Sequence, residues 1–296
     1  MNSNFDFIGH PVKLVITHCL DDGTPHVICL PKHPQSPVDL LRLYPHYLKV
    51  LMRAPDPLYI TGTPQAFVLL PLLLVMRRRF VVIELGDWSS VAYWEYYFKA
   101  GPKFARLMKK LVEISRKLTL LFSERYVTNS LSTYKALKGY KVTYKVQKLR
   151  VACPEEPLPP NERRGILVPV RLTYHKGVLR AILAYLKSEK FDEPLFIAGD
   201  GPLKHIVEKV ARKIPSVKYL GFIPRIEVLR LMAKVKAVIL PSYTEGFPFS
   251  VLEAVSCKVP SIIVFKDLDI ASCLAKLREV KVVDNIKELS EALKQL

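Results

Sequence analysis

Short apolar runs without alternation punctuate the second half of the chain: Ile166–Val170, Leu195–Ala198, Val217–Leu220, Ala237–Leu240, Ser261–Phe265 and Val280–Val283. Strands buried on both faces read this way, because neither side of the pleat meets water. Between the runs, apolar positions recur at helical spacing near 177–188, 202–213, 226–234, 250–257 and 286–295. Strand and helix in regular succession predict a parallel sheet covered on both faces, a doubly wound α/β domain. The first half repeats the theme less cleanly. VKLVITH, HVICLP, PLYITG, FVVIEL and RYVTNS are predicted strands, with helices near 37–53, 65–77, 89–118 and 131–137. A proline-rich polar stretch without periodicity, Cys153–Arg164, has the composition of a linker. The reading is two Rossmann-like domains, 1–157 and 158–296, facing a cleft, with ligands expected beyond the carboxyl ends of the strands.

Composition narrows the function classes. The five cysteines, at 19, 29, 153, 257 and 273, form no C-x-x-C pair. That pattern argues against a disulfide framework or zinc site and fits a reducing compartment. No signal-peptide pattern opens the chain. The run Ala66–Met76 is interrupted by Pro71 and is about half the roughly 20 residues that a spanning helix needs. It reads as a buried helix ended by Arg77, Arg78 and Arg79 on a solvated edge. The formal charge of +18 is regional: residues 101–150 carry 13 Lys/Arg against 2 Asp/Glu, and residues 201–250 carry 9 against 3. Regional positive charge implies a face that meets something anionic.

The most informative stretch is PSYTEGFPFSVLEAVSCKVPSIIV, from Pro241 to Val264. Ser250 with Glu253 has the spacing of a capping box, which alone would account for Glu253. Glu245, in the loop before the predicted helix, has no comparable structural duty. The loop follows a predicted strand and enters a helix, so its amides and dipole suit a diphosphate. A carboxylate in the first turn could accept from vicinal sugar hydroxyls, as the ribose-binding acid of dinucleotide folds does.

This stretch resembles the signature of family 4 glycosyltransferases, retaining enzymes of GT-B fold marked by a glutamate, seven residues and a second glutamate. Pro241, Ser242, Glu245, Gly246, Phe247, Pro248, Leu252, Glu253, Ala254, Cys257 and Pro260 match in register. The resemblance implies a retaining transfer of a sugar from a nucleotide-sugar donor to a lipid-linked or polysaccharide acceptor, with no metal and no cofactor. It implies roles as well. Arg171 and Lys176, in ILVPVRLTYHKG, would hold the diphosphate, and Glu253 the ribose. Glu245 would hold the donor sugar, and Asp87, in FVVIELGDWSS, would face the acceptor or reacting sugar. Gly199 and Gly201 belong to the family's strand-to-helix turn, and Phe222 to the Gly221–Pro224 loop beside the nucleobase. Gly246, Phe247 and Ser250 would line the donor loop. By these likenesses residues 1–157 form the acceptor side and 158–296 the nucleotide-sugar side.

The chain departs from the family pattern at named positions. Gly86 stands where histidine or arginine often precedes the aspartate, Val170 where a glycine precedes the arginine, and Lys258 where one follows the cysteine. The segment FIGHPVKLVITHCLDDGTPHVICLP is similar to the family's second strand region, which implies a missing or displaced first strand and glycine-rich loop. Little follows NIKELSEALKQL for the helix that normally crosses back. These departures keep a catalytically silent, nucleotide-sugar-binding relative among the readings.

Aromatic residues Tyr93, Trp94, Tyr96, Tyr97, Phe98 and Phe104 precede Lys103, Arg106, Lys109 and Lys110 within 89–118. Rings at headgroup level with cations on anionic lipid would make a membrane-surface patch. The alternative is a helix packed on its own sheet. The expected location is cytoplasmic, with association at the inner face of a membrane left open. A nucleic-acid-binding protein is the rival drawn from charge, but no recognition motif accompanies it. A glycoside hydrolase also uses two carboxylates, but needs one of them as an acid across the scissile bond.

Overall fold

The computed structural model describes residues 14–16, 27–29, 37–54, 56–145, 152–266, 268 and 270–296. The chain divides into two compact units, Met1–Tyr93 with Pro102–Gln147, and Trp94–Gly101 with Lys148–Leu296.

The N-terminal unit contains β1 (Leu14–Ile16), β2 (Val27–Cys29), α1 (Pro37–Arg53), β3 (Leu58–Thr61), α2 (Thr63–Val75), β4 (Phe80–Glu84), α3 (Trp88–Phe122), β5 (Arg125–Thr128), α4 (Leu131–Ala136) and β6 (Val142–Tyr144). All described pairings are parallel, in the order β2-β1-β3-β4-β5-β6, so the order reverses between β1 and β3. Every residue of β4 is buried, which explains its unbroken apolar run. α2 buries Ala66, Leu69, Leu70 and Leu73 into the same core as Tyr47, Leu51, Leu58 and Ile60. No helix among the described residues is long and apolar enough to cross a membrane. The arginines after α2 do more than meet solvent: Arg78 donates to the Leu51 and Ala54 carbonyls at 2.7 and 2.6 Å, tying the end of α2 to the end of α1. β6 lacked a sequence signal.

The C-terminal unit contains β7 (Ile166–Pro169), α5 (Val178–Ser188), β8 (Leu195–Ala198), α6 (Lys204–Lys213), β9 (Val217–Gly221), α7 (Arg225–Met232), β10 (Ala237–Leu240), α8 (Phe249–Ser256), β11 (Ser261–Phe265), α9 (Ala271–Leu274), β12 (Val280–Val283) and α10 (Ile286–Lys294). The parallel sheet runs β12-β11-β10-β7-β8-β9. This is the doubly wound order with its reversal between the first and fourth strands of the unit, β7 and β10. β10 is buried at every position, and Ile166, Leu167, Val168, Ile262, Ile263 and Val264 are fully enclosed beside it. Five expected helices and six expected strands are present within a residue or two of their reading; the short α9 was not expected.

Two expectations are corrected here. The five cysteines argued against disulfides, but Cys153 and Cys257 form one. They lie 104 positions apart, and nothing in their spacing could pair them. The proline-rich stretch is also anchored to the C-terminal unit. Arg163, 1% exposed, donates to the carbonyls of Leu158, Met232, Val235 and Cys257, and the Leu158 amide donates to the Ala233 carbonyl at 3.0 Å.

Lys258 follows α8 with φ 51°, the left-handed conformation that commonly ends helices and that glycine adopts without strain. The residue replacing the family's glycine therefore holds a glycine's backbone conformation. Lys258→Gly is expected to stabilise the protein by about 0.5–1 kcal/mol, and Lys258→Ala to give no gain. Urea unfolding with an unchanged m-value checks the sign.

Candidate functional site

A reversal of strand order leaves a crevice at the carboxyl edge of the sheet. In the C-terminal unit it lies between the loops following β7 and β10. Gly177, φ 67°, lets these loops touch: a Cβ there would overlap the Pro241 carbonyl oxygen. The Tyr243 amide donates to the His175 carbonyl at 2.8 Å and closes the contact. Across it, Lys176 Nζ donates to Glu245 Oε2 at 2.7 Å, with both side chains largely buried. The Ser242 hydroxyl donates to the other carboxylate oxygen at 2.5 Å. Lys176 and Glu245, expected to serve diphosphate and sugar, are thus joined directly. Arg171, on the same loop, is exposed, and has no ion pair among the described residues.

Glu253 lies on α8 and is 8% exposed. Its partner is Arg225, whose Nε donates to Oε1 at 2.5 Å from the start of α7. The expected capping box is not formed. Pro248 occupies the N-cap position, no side chain caps the helix, and α8 begins at Phe249. Ser250 is therefore the second residue inside the helix, too far along to cap it. Phe249 extends the helix by one residue before the expected start, its ring 5.1 Å from that of Phe247, beside Gly246.

The turn after β8 serves close approach. A Cβ at Gly199, φ 147°, would overlap the Val170 carbonyl oxygen, and one at Gly201 would lie 2.6 Å from that of Leu172. These glycines press the turn against the loop that holds Arg171 and Lys176. Val170, where the family pattern has glycine, is buried and packs into the core. Phe222 projects from the Gly221–Pro224 loop with 79% of its surface exposed.

Asp87 is the N-cap of α3 in the N-terminal unit and is nearly buried. It accepts from the Ser89 amide at 3.1 Å, from the Ser89 and Ser90 hydroxyls at 2.7 Å each, and from Arg116 at 2.9 Å. Arg116 also reaches Glu84 at 2.7 Å, and Thr63 and Tyr126 donate to Glu84 from the other side. Burial alone would raise the Asp87 carboxyl, but Arg116 and the two serines outweigh it and hold it at about 2. Burial pushes Glu84 up against the pull of Arg116. Burial acts to lower Arg116, but Glu84, Tyr126 and Asp87 hold it above its usual range. Gly86, where the family often has histidine or arginine, adopts φ 99°, and its amide donates to Asn129 at 2.8 Å; a left-handed backbone explains the substitution.

The segment Trp94–Gly101 of α3 belongs to the C-terminal unit, and Gly101, φ 82° and ψ 174°, interrupts the helix. Trp94 stacks on Tyr243 at 4.2 Å, Phe98 on Tyr174 at 5.4 Å, and Glu95 accepts from the His175 amide at 3.1 Å. Two of the expected membrane rings are therefore packed against protein. Beyond Gly101, Phe104, Leu107, Leu111, Ile114, Leu118 and Leu121 are 40–67% exposed. Their three- and four-residue steps align them along one face of the helix. Exposed Lys103, Arg106, Lys110 and Lys117 accompany them.

Sequence reasoning missed Arg180, Arg116 and Glu84. A lone arginine in the apolar helix VLRAILAYL was the signal for the first. The other two carry none, because only the fold brings positions 84 and 116 together.

The loops at the switch point of this doubly wound sheet thus carry a Lys–Glu pair and an exposed arginine, and the helix that follows carries a buried carboxylate. Residues 153–296 match the family described as "Glycosyl transferases group 1". An O-antigen chain mannosyltransferase B of Escherichia coli is 32% identical over 92 residues, 29% of this chain and 24% of the relative. A GDP-mannose-dependent alpha-(1-6)-phosphatidylinositol dimannoside mannosyltransferase of Mycobacterium tuberculosis is 34% identical over 96 residues, 31% of this chain and 25% of the relative. These matches span about a quarter of the curated relatives. Among solved structures, a sucrose-phosphate synthase from Thermosynechococcus elongatus superposes with TM-score 0.66 at 15% identity, covering 92% of this chain and 74% of that one. The lipopolysaccharide-biosynthesis glycosyltransferase WaaG superposes with TM-score 0.59 at 17% identity, covering 91% and 77%. The fold is GT-B.

A depressed carboxyl stabilises the folded state above its unfolded pKa and loses that contribution as pH falls through its folded pKa. Asp87, about 2 against an ordinary 3.8, should contribute about 2 kcal/mol at neutral pH that disappears between about pH 4 and 2. Asp87→Asn should lack this pH-dependent component, as read by urea unfolding of both proteins across that window.

Proposed function

We propose that this protein is a retaining glycosyltransferase that moves a sugar from a nucleotide-sugar donor to a lipid-linked or polysaccharide acceptor. The observation that carries the reading is the Lys176–Glu245 pair across the switch-point crevice, with Glu253 on the following helix. In this reading Lys176 and Arg171 take the diphosphate, where fixed positive charge stabilises the leaving group as its charge grows. A diphosphate competing for Lys176 would release Glu245 toward the sugar hydroxyls. Glu253, held by Arg225, accepts from the ribose, and exposed Phe222 lies against the base. No metal is required, because Arg171 and Lys176 supply the positive charge. Retention follows a front-face path in which the leaving phosphate takes the acceptor proton. Asp87 serves this scheme by fixing the start of α3 on the acceptor side. The GDP-mannose-dependent relative makes GDP-mannose the first donor to test.

The apolar stripe of α3 supports an anionic membrane as the surface where a lipid-linked acceptor is met. A second copy docked on the same stripe would bring like cations together, whereas anionic headgroups complement them. At about 1 kcal/mol per engaged Lys/Arg, three or four contacts suffice for reversible docking. Leu111→Glu with Leu118→Glu should abolish co-sedimentation with phosphatidylglycerol vesicles while neutral phosphatidylcholine vesicles bind neither protein. Equal binding of both proteins, or loss of dimer in place of loss of lipid, overturns this surface.

Thermal shift against UDP, GDP and their sugars identifies the donor, because a ligand of the folded state raises its apparent stability. Glu253→Ala should weaken nucleoside diphosphate binding about tenfold or more. Glu245→Ala should leave that binding within about threefold and lower turnover by about 10²-fold or more. Donor binding without transfer to any acceptor would favour the silent relative, and unchanged binding and turnover in both variants would overturn the site.

A further inference from the structure

α5 carries a charge that the transfer scheme leaves unused. Arg180 is the third residue of that helix and is 5% exposed. Its guanidinium carbon lies 3.9 Å from the centre of the Tyr243 ring and 3.5 Å from that of Phe265. Its Nε donates to the Pro241 carbonyl and its Nη2 to the Ser242 carbonyl. Those carbonyls open the loop that follows β10. Ser242 is fully buried, and its hydroxyl holds one oxygen of Glu245 at 2.5 Å. A chain of direct contacts therefore runs from Arg180 through Ser242 to the Glu245 carboxylate.

We propose that Arg180 is the positioning residue for Glu245 in sugar transfer. This rests on the proposed transfer reaction. Burying a cation carries a desolvation penalty, and an apolar side chain of similar length would pack between Phe265 and Tyr243 without it. What the guanidinium supplies is direction. Its flat faces meet rings while its edge donates to two successive carbonyls, a combination that a lysine ammonium cannot reproduce. The two carbonyls fix the backbone at Ser242, and a fixed Ser242 leaves its hydroxyl one orientation toward Glu245. Misplacement of a reacting group by about 1 Å can cost about 10²-fold in rate, so the restraint bears on turnover.

Arg180→Lys and Arg180→Met test this in the full chain. Hydrogen exchange of the amides at 242–247 should accelerate about tenfold or more in both variants, with the β10 and β11 amides within about twofold of the unaltered protein. With the donor found by thermal shift, turnover should fall about 10²-fold while UDP or GDP binding stays within about threefold. Arg180→Lys should recover melting temperature without recovering turnover, a split that a merely structural role would not produce. If Arg180→Met does not fold, Arg180→Lys carries the same comparison. Unchanged exchange at 242–247, or melting temperature and turnover restored together by lysine, overturns the proposal. Absence of transfer by the unaltered protein overturns the transfer reading instead, and the exchange comparison then decides the loop restraint by itself.

Discussion

The loops leaving β7 and β10 meet at Gly177, whose α-carbon faces the Pro241 carbonyl oxygen so closely that a Cβ would overlap it. The meeting of Lys176 and Glu245 depends on that approach, which also brings the Tyr243 amide to the His175 carbonyl. Arg180, in the first turn of α5, donates to the Pro241 and Ser242 carbonyls of the same loop. Gly199 and Gly201 extend the same device to the turn after β8. A parallel doubly wound sheet gathers the carboxyl ends of its strands along one edge, where the reversal of strand order leaves a crevice. How the crevice is lined depends on which loops can lie against one another.

The N-terminal unit solves a different problem with one cation. Glu84 and Asp87 are both buried, and Arg116 bonds to each. Two buried carboxylates sharing one guanidinium cannot both be compensated equally. The hydroxyls around Asp87 favour its ionised form, while burial weighs against ionisation of Glu84. The cluster joins the end of β4 to the beginning and the far half of α3, so Asp87 acts first on the fold of its own helix.

Much of the C-terminal unit was legible because fully buried parallel strands need apolar side chains on both faces. The runs at 195–198, 237–240 and 261–265 coincide with strands for that reason, whereas 280–283 forms an edge strand with Lys281 exposed. The spacing of Glu245 and Glu253 placed both on the loop and helix after β10. What misled was local: Ser250 and Glu253 fit a capping box, but Pro248 starts the helix earlier and Arg225 claims Glu253. Cys153 and Cys257 gave no sign of pairing, since a separation of 104 residues contains no geometry. The aromatic residues ahead of the basic helix announced a surface, yet Trp94 and Phe98 stack on Tyr243 and Tyr174. The exposed apolar face lies further along, where its heptad-like spacing was present in the sequence but exposure was not.

Periodicity, therefore, determined most of the strands and helices, and the register of eleven matching positions around Glu245 and Glu253 pointed to the family that residues 153–296 match. These are properties of neighbours along the chain, and hydrophobic burial converts them directly into elements. Partnership was decided only by tertiary structure: Lys176 with Glu245, Arg225 with Glu253, Arg180 with the Pro241 and Ser242 carbonyls, Arg116 with Glu84 and Asp87. Hydrogen bonds and ion pairs act over a few ångströms in space, and closing loops of tens of residues brings together groups whose separation in sequence carries no record of the contact.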